Sequence, residues 1–307
     1  MATRTKPKRV AVLGLGRMGG LIAQHLVDEG YAVTAYDPAR AALARAKRNG
    51  AKTVTSVAAA VRNVDVVCSS LPGPAEVEAT YLGEGGALKA MRRGTVVFDH
   101  TTSSVDLART VAGEARKAGI EYLDAPLSGS VPQMTNRTAA AIVAGNRSAL
   151  RKHQDVLEAF CGSVTYMGKS GNGLVMKLVT NHVLDIFHAG IAEGLAFGSR
   201  AGLDPSAMVT FLQGSAAPRL LDYKAPAMAK RDYSETIFNV NLCLKDLGLA
   251  AEVAQAAGAV VPVGAAARQQ YVTAQALGFG ESDFNTVFES YIQASGGKAK
   301  RPRSGRR

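Results

Sequence analysis

The sequence predicts an α/β domain with a doubly wound parallel sheet, followed by an all-helical domain. Three observations support this fold class. Between residues 9 and 145, short runs rich in β-branched residues alternate with Ala-rich helical stretches, as in a sheet covered on both faces. After GKSGNG at 168–173, helical periodicity replaces the strand patterns and continues to about residue 293. The length of 307 residues also exceeds that of one typical domain.

The strands of the α/β domain are short apolar runs, each ending near a polar or turn residue. In chain order they are RVAVLGLG, AVTAYD, DVVCSSL, TVVFDHT and EYLDAP. Two further runs, AAAIVAG at 139–145 and SVTYMG at 163–168, flank a predicted helix at 147–160. We expect these two runs to extend the same sheet.

A long helix at roughly 173–201 joins the two predicted domains and ends near Gly202 and the Asp-Pro pair that follows. Later helices are expected at approximately 205–213, 239–257 and 264–277. The predicted organisation is a disordered basic tail at 1–8, the α/β domain at 9–168, the helical domain at 169–296 and a second disordered basic tail at 297–307.

The charge and the cysteines exclude several classes of protein. The net charge is +11, but residues 1–9 and 298–307 carry ten basic side chains and no acid. A basic face for nucleic acid on the fold itself is therefore not indicated. Three scattered cysteines without a CxxC pattern, and five histidines without ligand spacing, predict no metal site. A basic start without an apolar signal core, and no membrane span, favour a cytoplasmic protein.

A glycine motif follows the first strand and precedes a helical pattern. Gly14, Gly16 and Gly19 form GxGxxG, in which the first glycine makes a tight turn, the second admits a pyrophosphate and the third packs against the strand. Asp37 ends the next strand, where a carboxylate accepts hydrogen bonds from a ribose and repels a 2′-phosphate. We therefore predict NAD over NADP, with Arg40 as a residue that could instead receive that phosphate. An ordinary glycine turn, and Asp37 as a turn residue, remain the alternatives.

The stretch GNGLVMKLVTN at 171–181 places one lysine in an apolar helix. From Leu174 through Phe187 the segment is expected to be largely covered, whereas lysine is rarely buried without a partner. At helical spacing Lys177 shares one face with Asn181 and Asp185. This face is either a solvated stripe on an amphipathic helix or the wall of a cleft in which the lysine ammonium group takes part in the chemistry.

Five motifs in order resemble the β-hydroxyacid dehydrogenase family, which includes 3-hydroxyisobutyrate dehydrogenase, tartronate semialdehyde reductase and 6-phosphogluconate dehydrogenase. They are LGRMGG, SSLPGPAEV, DAPLSGS, GNGLVMKLVTN and LKDLGLA, and the resemblance runs from about residue 9 to 293. It implies a Rossmann-type dinucleotide-binding domain, a helical domain for substrate binding and dimerisation, and NAD(P)-dependent oxidation of a small β-hydroxy acid, 3-hydroxyisobutyrate-like or glycerate-like.

The resemblance also implies a role for each matching residue. The cofactor-binding positions are Gly14, Leu15, Gly16, Arg17, Met18, Gly19, Asp37, Leu71, Pro72, Thr102 and Lys245. The substrate-binding positions are Ser128, Gly129, Ser130 and Asn181. Lys177 matches the catalytic lysine, and we hypothesise that it is the general acid–base, because burial and a cationic nicotinamide ring both disfavour a charged ammonium.

Two departures from the family bear on which substrate is bound. Ser130 stands where the family usually has glycine, and the following VPQMTNRTAA carries Asn136 and Arg137 where the family commonly has a small, acid-containing stretch with glycine. Arg219 or Lys224 could serve a second carboxylate, or be solvated charges. The alternatives are an imine, semialdehyde or glyoxylate reductase on the same scaffold, or a non-catalytic polyanion-binding relative. The Ala/Gly-rich stretch at 189–202 and the resemblance imply a homodimer or homotetramer.

Overall fold

A computed structural model of the chain describes residues 8–214 and 225–300. The chain divides into two compact units, Met1–Lys177 and Leu178–Arg307. The division lies inside the long helix, whereas the sequence places the domain boundary at 168/169. Of the predicted basic tails, residues 1–7 and 301–307 lie outside the described residues, as do Arg219 and Lys224.

The first unit contains a six-stranded parallel sheet with the order β3-β2-β1-β4-β5-β6. The strands are β1 Arg9–Leu13, β2 Ala32–Tyr36, β3 Lys52–Thr53, β4 Val66–Ser69, β5 Val96–Asp99 and β6 Glu121–Asp124. All residues of β4 and β5 are buried, as expected for central strands covered on both faces. The strand order reverses between β1 and β4, and the crevice beyond their carboxyl ends is where open α/β sheets bind ligands. The predicted fold class is confirmed.

Six helices cover this sheet. They are α1 Arg17–Asp28, α2 Arg40–Arg48, α3 Val57–Val61, α4 Pro74–Tyr81, α5 Ala87–Ala90 and α6 Val105–Lys117. Serine side chains begin two of them, since Ser56 accepts from the Ala59 N–H and Ser104 from the Leu107 N–H.

The expectation that runs 139–145 and 163–168 extend the main sheet is wrong. They form β8 Ala140–Val143 and β9 Ser163–Tyr166 of a separate three-stranded sheet, in which β7 Leu127–Ser128 is antiparallel to β8. One isolated bridge, Asp124 to Ala144, links the two sheets. The physical reason is Pro126, which has no N–H to continue the hydrogen-bond ladder of the main sheet beyond β6. Its carbonyl oxygen accepts from the Ile142 N–H of β8, in the smaller sheet. Helices α7 Val131–Thr135 and α8 Arg147–Glu158 complete this region.

The second half of the chain is helical. The long helix α9 spans Asn172–Arg200 and is followed by α10 Pro205–Gln213, α11 at 225–230, α12 Val240–Ala256, α13 Pro262–Ala274 and α14 Val287–Ala294. A π-helical turn, Gln275–Phe279, extends α13, and a 3₁₀ turn, Phe284–Thr286, precedes α14. The aromatic side chains Tyr271, Phe279 and Phe288 are buried in the core of this unit. No helix of the described residues combines the length and apolarity needed to cross a bilayer.

Candidate functional site

The three glycines of the first loop differ in how much room each would leave for a side chain. A β-carbon on Gly14 would lie 2.2 Å from the Ser70 carbonyl oxygen, and one on Gly19 would lie 2.0 Å from that of Gly14. A β-carbon on Gly16 would have no atom within 4 Å. Gly16 also begins α1 without a side-chain cap, so the first N–H groups of the helix can bind an anion. The loop therefore fits the pyrophosphate of a dinucleotide, with the required open space at its middle glycine.

Asp37 holds this loop and directly follows β2. Its two carboxylate oxygens accept from the Leu15 N–H and the Ala39 N–H, each at 2.7 Å. A carboxylate keeps further acceptor sites after two such bonds, so ribose hydroxyls can still bind it. Arg40 is exposed at the first position of α2. The side chain on α2 that reaches the loop is that of Arg45, which donates to the Leu15 carbonyl at 2.7 Å.

The other residues of the loop lie at the start of α1. Arg17 is exposed, and Met18 is partly buried against the core of the first unit. The first helical turn carries no acid that would repel a phosphate.

The loops that follow β4 and β5 are held together by a buried carboxylate that the sequence reasoning missed. Asp99, at the end of β5, accepts from the Ser69 hydroxyl at 2.7 Å and from the Thr101 N–H at 3.1 Å. The Thr101 hydroxyl in turn accepts from the Leu71 N–H at 3.0 Å. This chain of hydrogen bonds positions the segments of Leu71-Pro72 and Thr102. Burial raises the pKa of Asp99, although its hydrogen-bond donors act in the opposite direction.

The Ser-Gly-Ser turn begins at the last residue of β7, and its second serine is already hydrogen-bonded. The side-chain carbonyl of Gln133 accepts from the Ser130 N–H at 2.9 Å and from the Ser130 hydroxyl at 2.6 Å. Both donors of Ser130 are thus used to begin α7. Ser128 is half-buried and Gly129 is exposed, with a φ of +141° that favours glycine.

Helix α9 begins against the sheet through Asp124, which the sequence reasoning also missed. The carboxylate accepts from the Gly171 N–H at 2.8 Å and from the Leu174 N–H at 3.0 Å. A β-carbon on Gly173 would lie 2.6 Å from the Ile142 carbonyl oxygen, so only glycine allows this close approach. The GNG motif therefore fixes where the helix starts, one turn before Lys177.

Lys177 is half-buried, and the polar residues that follow it on the same helix face are covered. Asn181 is 8% exposed and Asp185 is 2% exposed, so the interpretation of this face as a solvated stripe is wrong for them. The Asn181 amide donates to an Asp246 carboxylate oxygen at 2.6 Å. The other oxygen of Asp246 lies 3.2 Å from the Lys245 ammonium nitrogen.

The structure groups some of the predicted residues within each unit. In the first unit, a β-carbon on Gly14 would contact Ser70 and the Leu71 side chain, so the glycine loop and the loop after β4 adjoin. In the second unit, Asp246 connects Asn181 with Lys245. Among residues 8–214 and 225–300, no group of three His, Cys, Asp or Glu side chains is placed to hold a metal ion. The three cysteines are buried and free.

Two family profiles match the chain. Residues 9–168 match the NAD binding domain of 6-phosphogluconate dehydrogenase, and residues 171–291 match the NAD-binding domain of NADP-dependent 3-hydroxyisobutyrate dehydrogenase. An NAD-dependent L-serine dehydrogenase of Pseudomonas aeruginosa is 33% identical over 297 residues, which cover 94% of this chain and 99% of that protein. A 3-hydroxyisobutyrate dehydrogenase of the same organism is 35% identical over 292 residues, covering 92% and 98%.

A solved structure is similar over the same length. It is the 3-hydroxyisobutyrate dehydrogenase of Mycobacterium tuberculosis with L-serine, which has a TM-score of 0.83 and 32% sequence identity to this chain. The match covers 92% of this chain and 98% of that one.

Proposed function

The chain belongs to the β-hydroxyacid dehydrogenase family, and we propose that it oxidises a primary alcohol whose CH₂OH group is bonded to the carbon that carries a carboxylate. It is an oxidoreductase that acts on CH–OH groups with NAD(P). L-Serine and 3-hydroxyisobutyrate, which name the relatives, both have the form HO–CH₂–CH(X)–COO⁻ and differ only in X. Glycerate has the same form, with a hydroxyl as X. The carboxylate and the primary hydroxyl are therefore the shared features that we expect the site to recognise.

We propose NAD as the preferred cofactor, because the Asp37 carboxylate at the end of β2 disfavours a second phosphate on the ribose. With its pyrophosphate bound at the glycine loop, the dinucleotide would supply the nicotinamide ring that accepts the hydride. The residues proposed to hold the cofactor are Gly14 to Gly19, Asp37, Leu71, Pro72, Thr102 and Lys245. A comparison of kcat/KM with NADH and NADPH tests this preference. More than about tenfold preference for NADPH, equivalent to about 1.4 kcal/mol, would reverse it.

The observation that carries the proposed chemistry is the polar face of α9, defined here as Lys177, Asn181, Asp185 and His188. As hydride leaves an alcohol, the hydroxyl becomes more acidic and requires a base; the same group returns the proton in the reverse direction. Lys177 is proposed as that acid–base. The amide of Asn181, held by Asp246, is proposed to orient the substrate. Ser128 and Gly129 are proposed to bind its carboxylate, with Ser130 joining them if Gln133 releases its donors.

Replacement of the lysine tests the chemistry. Lys177→Ala is expected to lower kcat about 10²–10⁴-fold, the usual contribution of a positioned acid–base, while the Kd for the cofactor stays nearly the same. The assay is a panel of 3-hydroxy acids and semialdehydes, followed by absorbance of the reduced nicotinamide. Lys152→Ala, which removes an exposed lysine from α8, is the charge-matched control. Retention of more than about a tenth of wild-type turnover in Lys177→Ala contradicts the role.

We also propose that the protein self-associates through α9. The side chains of Met176, Val179, Val183 and Phe187 are large, apolar and exposed along one side of the helix. The exposed glycines Gly190 and Gly194 continue this side and allow close approach of another helix. A homodimer or homotetramer would cover this surface.

A further inference from the structure

The short helix α7 carries the Ser-Gly-Ser turn at its start and is held at both ends. At the first end, Gln133 accepts both donors of Ser130. At the other end, the Met134 carbonyl oxygen lies 2.9 Å from Nε2 of His25, a buried residue of α1. Because α1 also begins at the glycine loop, these contacts connect the two halves of the proposed site within the first unit.

Arg137 adds further contacts to α1, and its backbone has an unusual conformation. Its φ is +56°, in the left-handed region that side chains with a β-carbon rarely adopt. The guanidinium Nε donates to Nδ1 of His25 at 3.2 Å, and another nitrogen forms an ion pair with Glu29 just after α1. These contacts hold a conformation that the backbone alone disfavours.

The hydrogen bonds assign the tautomer of His25. The Met134 carbonyl can only accept, so Nε2 of the ring carries the proton. Nδ1 is then the acceptor for the Arg137 Nε–H. The imidazole thus bridges Met134 of α7 and Arg137, which lies two residues beyond the end of that helix, with both ring nitrogens used.

We propose that Arg137 is a positioning residue that clamps α7 to α1 and so sets the place of the Ser128–Gly129 turn for the substrate carboxylate. The turn has little freedom relative to α7, because a β-carbon on Gly129 would lie 3.1 Å from that of Gln133 and 3.0 Å from that of Ala139. A displacement of α7 would therefore displace the turn with it. This inference rests on the proposed function, which assigns the carboxylate to that turn.

Two substitutions separate the clamp from the backbone strain. Arg137→Ala removes the guanidinium but keeps a β-carbon at positive φ, whereas Arg137→Gly removes both. Arg137→Ala is expected to lower the Tm more than Arg137→Gly does. In both variants the KM for the best hydroxy acid is expected to rise about tenfold, with kcat and the KM for NAD changed less than about twofold. Arg151→Ala, which removes an exposed arginine from α8, is the charge-matched control.

Hydrogen exchange tests the clamp without a substrate. Exchange of the amides at 131–136 is expected to be about tenfold faster in Arg137→Gly than in wild type and unchanged in Arg151→Ala. Unchanged exchange, or an Arg137→Gly enzyme with the wild-type KM for the hydroxy acid, overturns the clamp. A wild-type protein that oxidises no hydroxy acid of the panel refutes the proposed function instead, and the exchange rates then decide whether the clamp exists.

Discussion

The two sides of α9 reverse the usual distribution of polar and apolar residues. On the polar face, Asn181, Asp185 and His188 are between 2% and 8% exposed. On the opposite side, which we call the apolar face, four large side chains are 38–49% exposed: Met176, Val179, Val183 and Phe187. A helix at the surface of a monomer normally shows the opposite pattern, with its apolar side buried.

Packing within one chain alone does not explain this distribution, so each face of α9 calls for a functional explanation. Burial of a polar group costs free energy unless it is hydrogen-bonded, and Asn181 has such a partner in Asp246. His188 likewise donates from Nδ1 to the Leu184 carbonyl at 2.6 Å and packs against Phe284. Asn181 and His188 are thus buried with hydrogen-bond partners, which suits a site for chemistry, and the exposed apolar face suits association. The two faces can be tested independently.

After replacement of Lys177 itself, the largest effect is expected from breaking the polar face at Asp246. Asp246→Ala leaves the buried Asn181 amide without its acceptor, which should lower the free energy of unfolding by about 1–3 kcal/mol. Because the amide is proposed to orient the substrate, kcat/KM should also fall about 10–100-fold. Urea unfolding and steady-state kinetics measure the two effects.

Asp246→Asn is the matched control for that experiment. Its side-chain carbonyl can still accept from Asn181, so most of the stability and activity should return, although the ion pair with Lys245 is lost. If Asp246→Ala has the stability and the turnover of wild type, Asp246 does not position Asn181, and the role proposed for the Asn181 amide is contradicted.

A smaller effect on stability, but a clear effect on assembly, is expected from the apolar face. Phe187→Glu places a charge in the centre of the proposed contact and should shift the molar mass measured by light scattering from the oligomer to the monomer. The free energy of unfolding of the monomer should change by less than about 0.5 kcal/mol, because the side chain is exposed there. Val260→Glu, at a side chain that is 91% exposed and outside α9, is the control. A wild-type protein that is monomeric at micromolar concentration contradicts the proposed contact.

The sequence predicted the local features of the molecule well, because local chemistry determines them. The helix predicted at 205–213 is observed at Pro205–Gln213, where Asp204 caps the first turn and proline follows at the first position. The long helix predicted at 173–201 is observed at Asn172–Arg200. The glycine loop also fits its predicted role, since Gly14 and Gly19 have no room for a β-carbon and Gly16 has space.

The sequence could not predict features that depend on long-range contacts. The segment Leu174–Phe187 was expected to be largely covered, but Val179, Val183 and Phe187 are exposed, because periodicity identifies an apolar face without identifying what covers it. Asp99, Asp124 and Asp246 were not recognised as supports for the site. Each carboxylate binds groups that the fold brings close, and no residue spacing in the sequence predicts which groups these are. The separate small sheet was missed for the same reason.

The last prediction, which concerns only how stability depends on pH, is for Asp124, which anchors the start of α9 and hence both of its faces. Burial raises the pKa of Asp124 above its ordinary value, and the N–H groups of Gly171 and Leu174 oppose this rise without cancelling it. A carboxyl group with a raised folded-state pKa holds its proton longer in the folded state than in the unfolded chain. Its contribution to stability therefore falls as pH rises from about 4 through the folded-state pKa, by at most about 1.4 kcal/mol per pH unit.

Urea unfolding between pH 3 and pH 7 isolates this contribution when wild type is compared with Asp124→Asn, in which the site cannot titrate. The difference in free energy of unfolding, wild type minus variant, should decrease as pH rises above about 4. Asp65→Asn is a control of opposite sign: burial pushes the pKa of Asp65 up, but the hydrogen bonds and charge of Arg9, with the charge of Arg92, outweigh it and lower that pKa. Its difference should instead increase with pH, below about pH 4, and then remain constant. A flat difference for Asp124→Asn would contradict this prediction, because it would mean that folding leaves the pKa of Asp124 unchanged and that the hydrogen bonds from Gly171 and Leu174 fully offset the effect of burial.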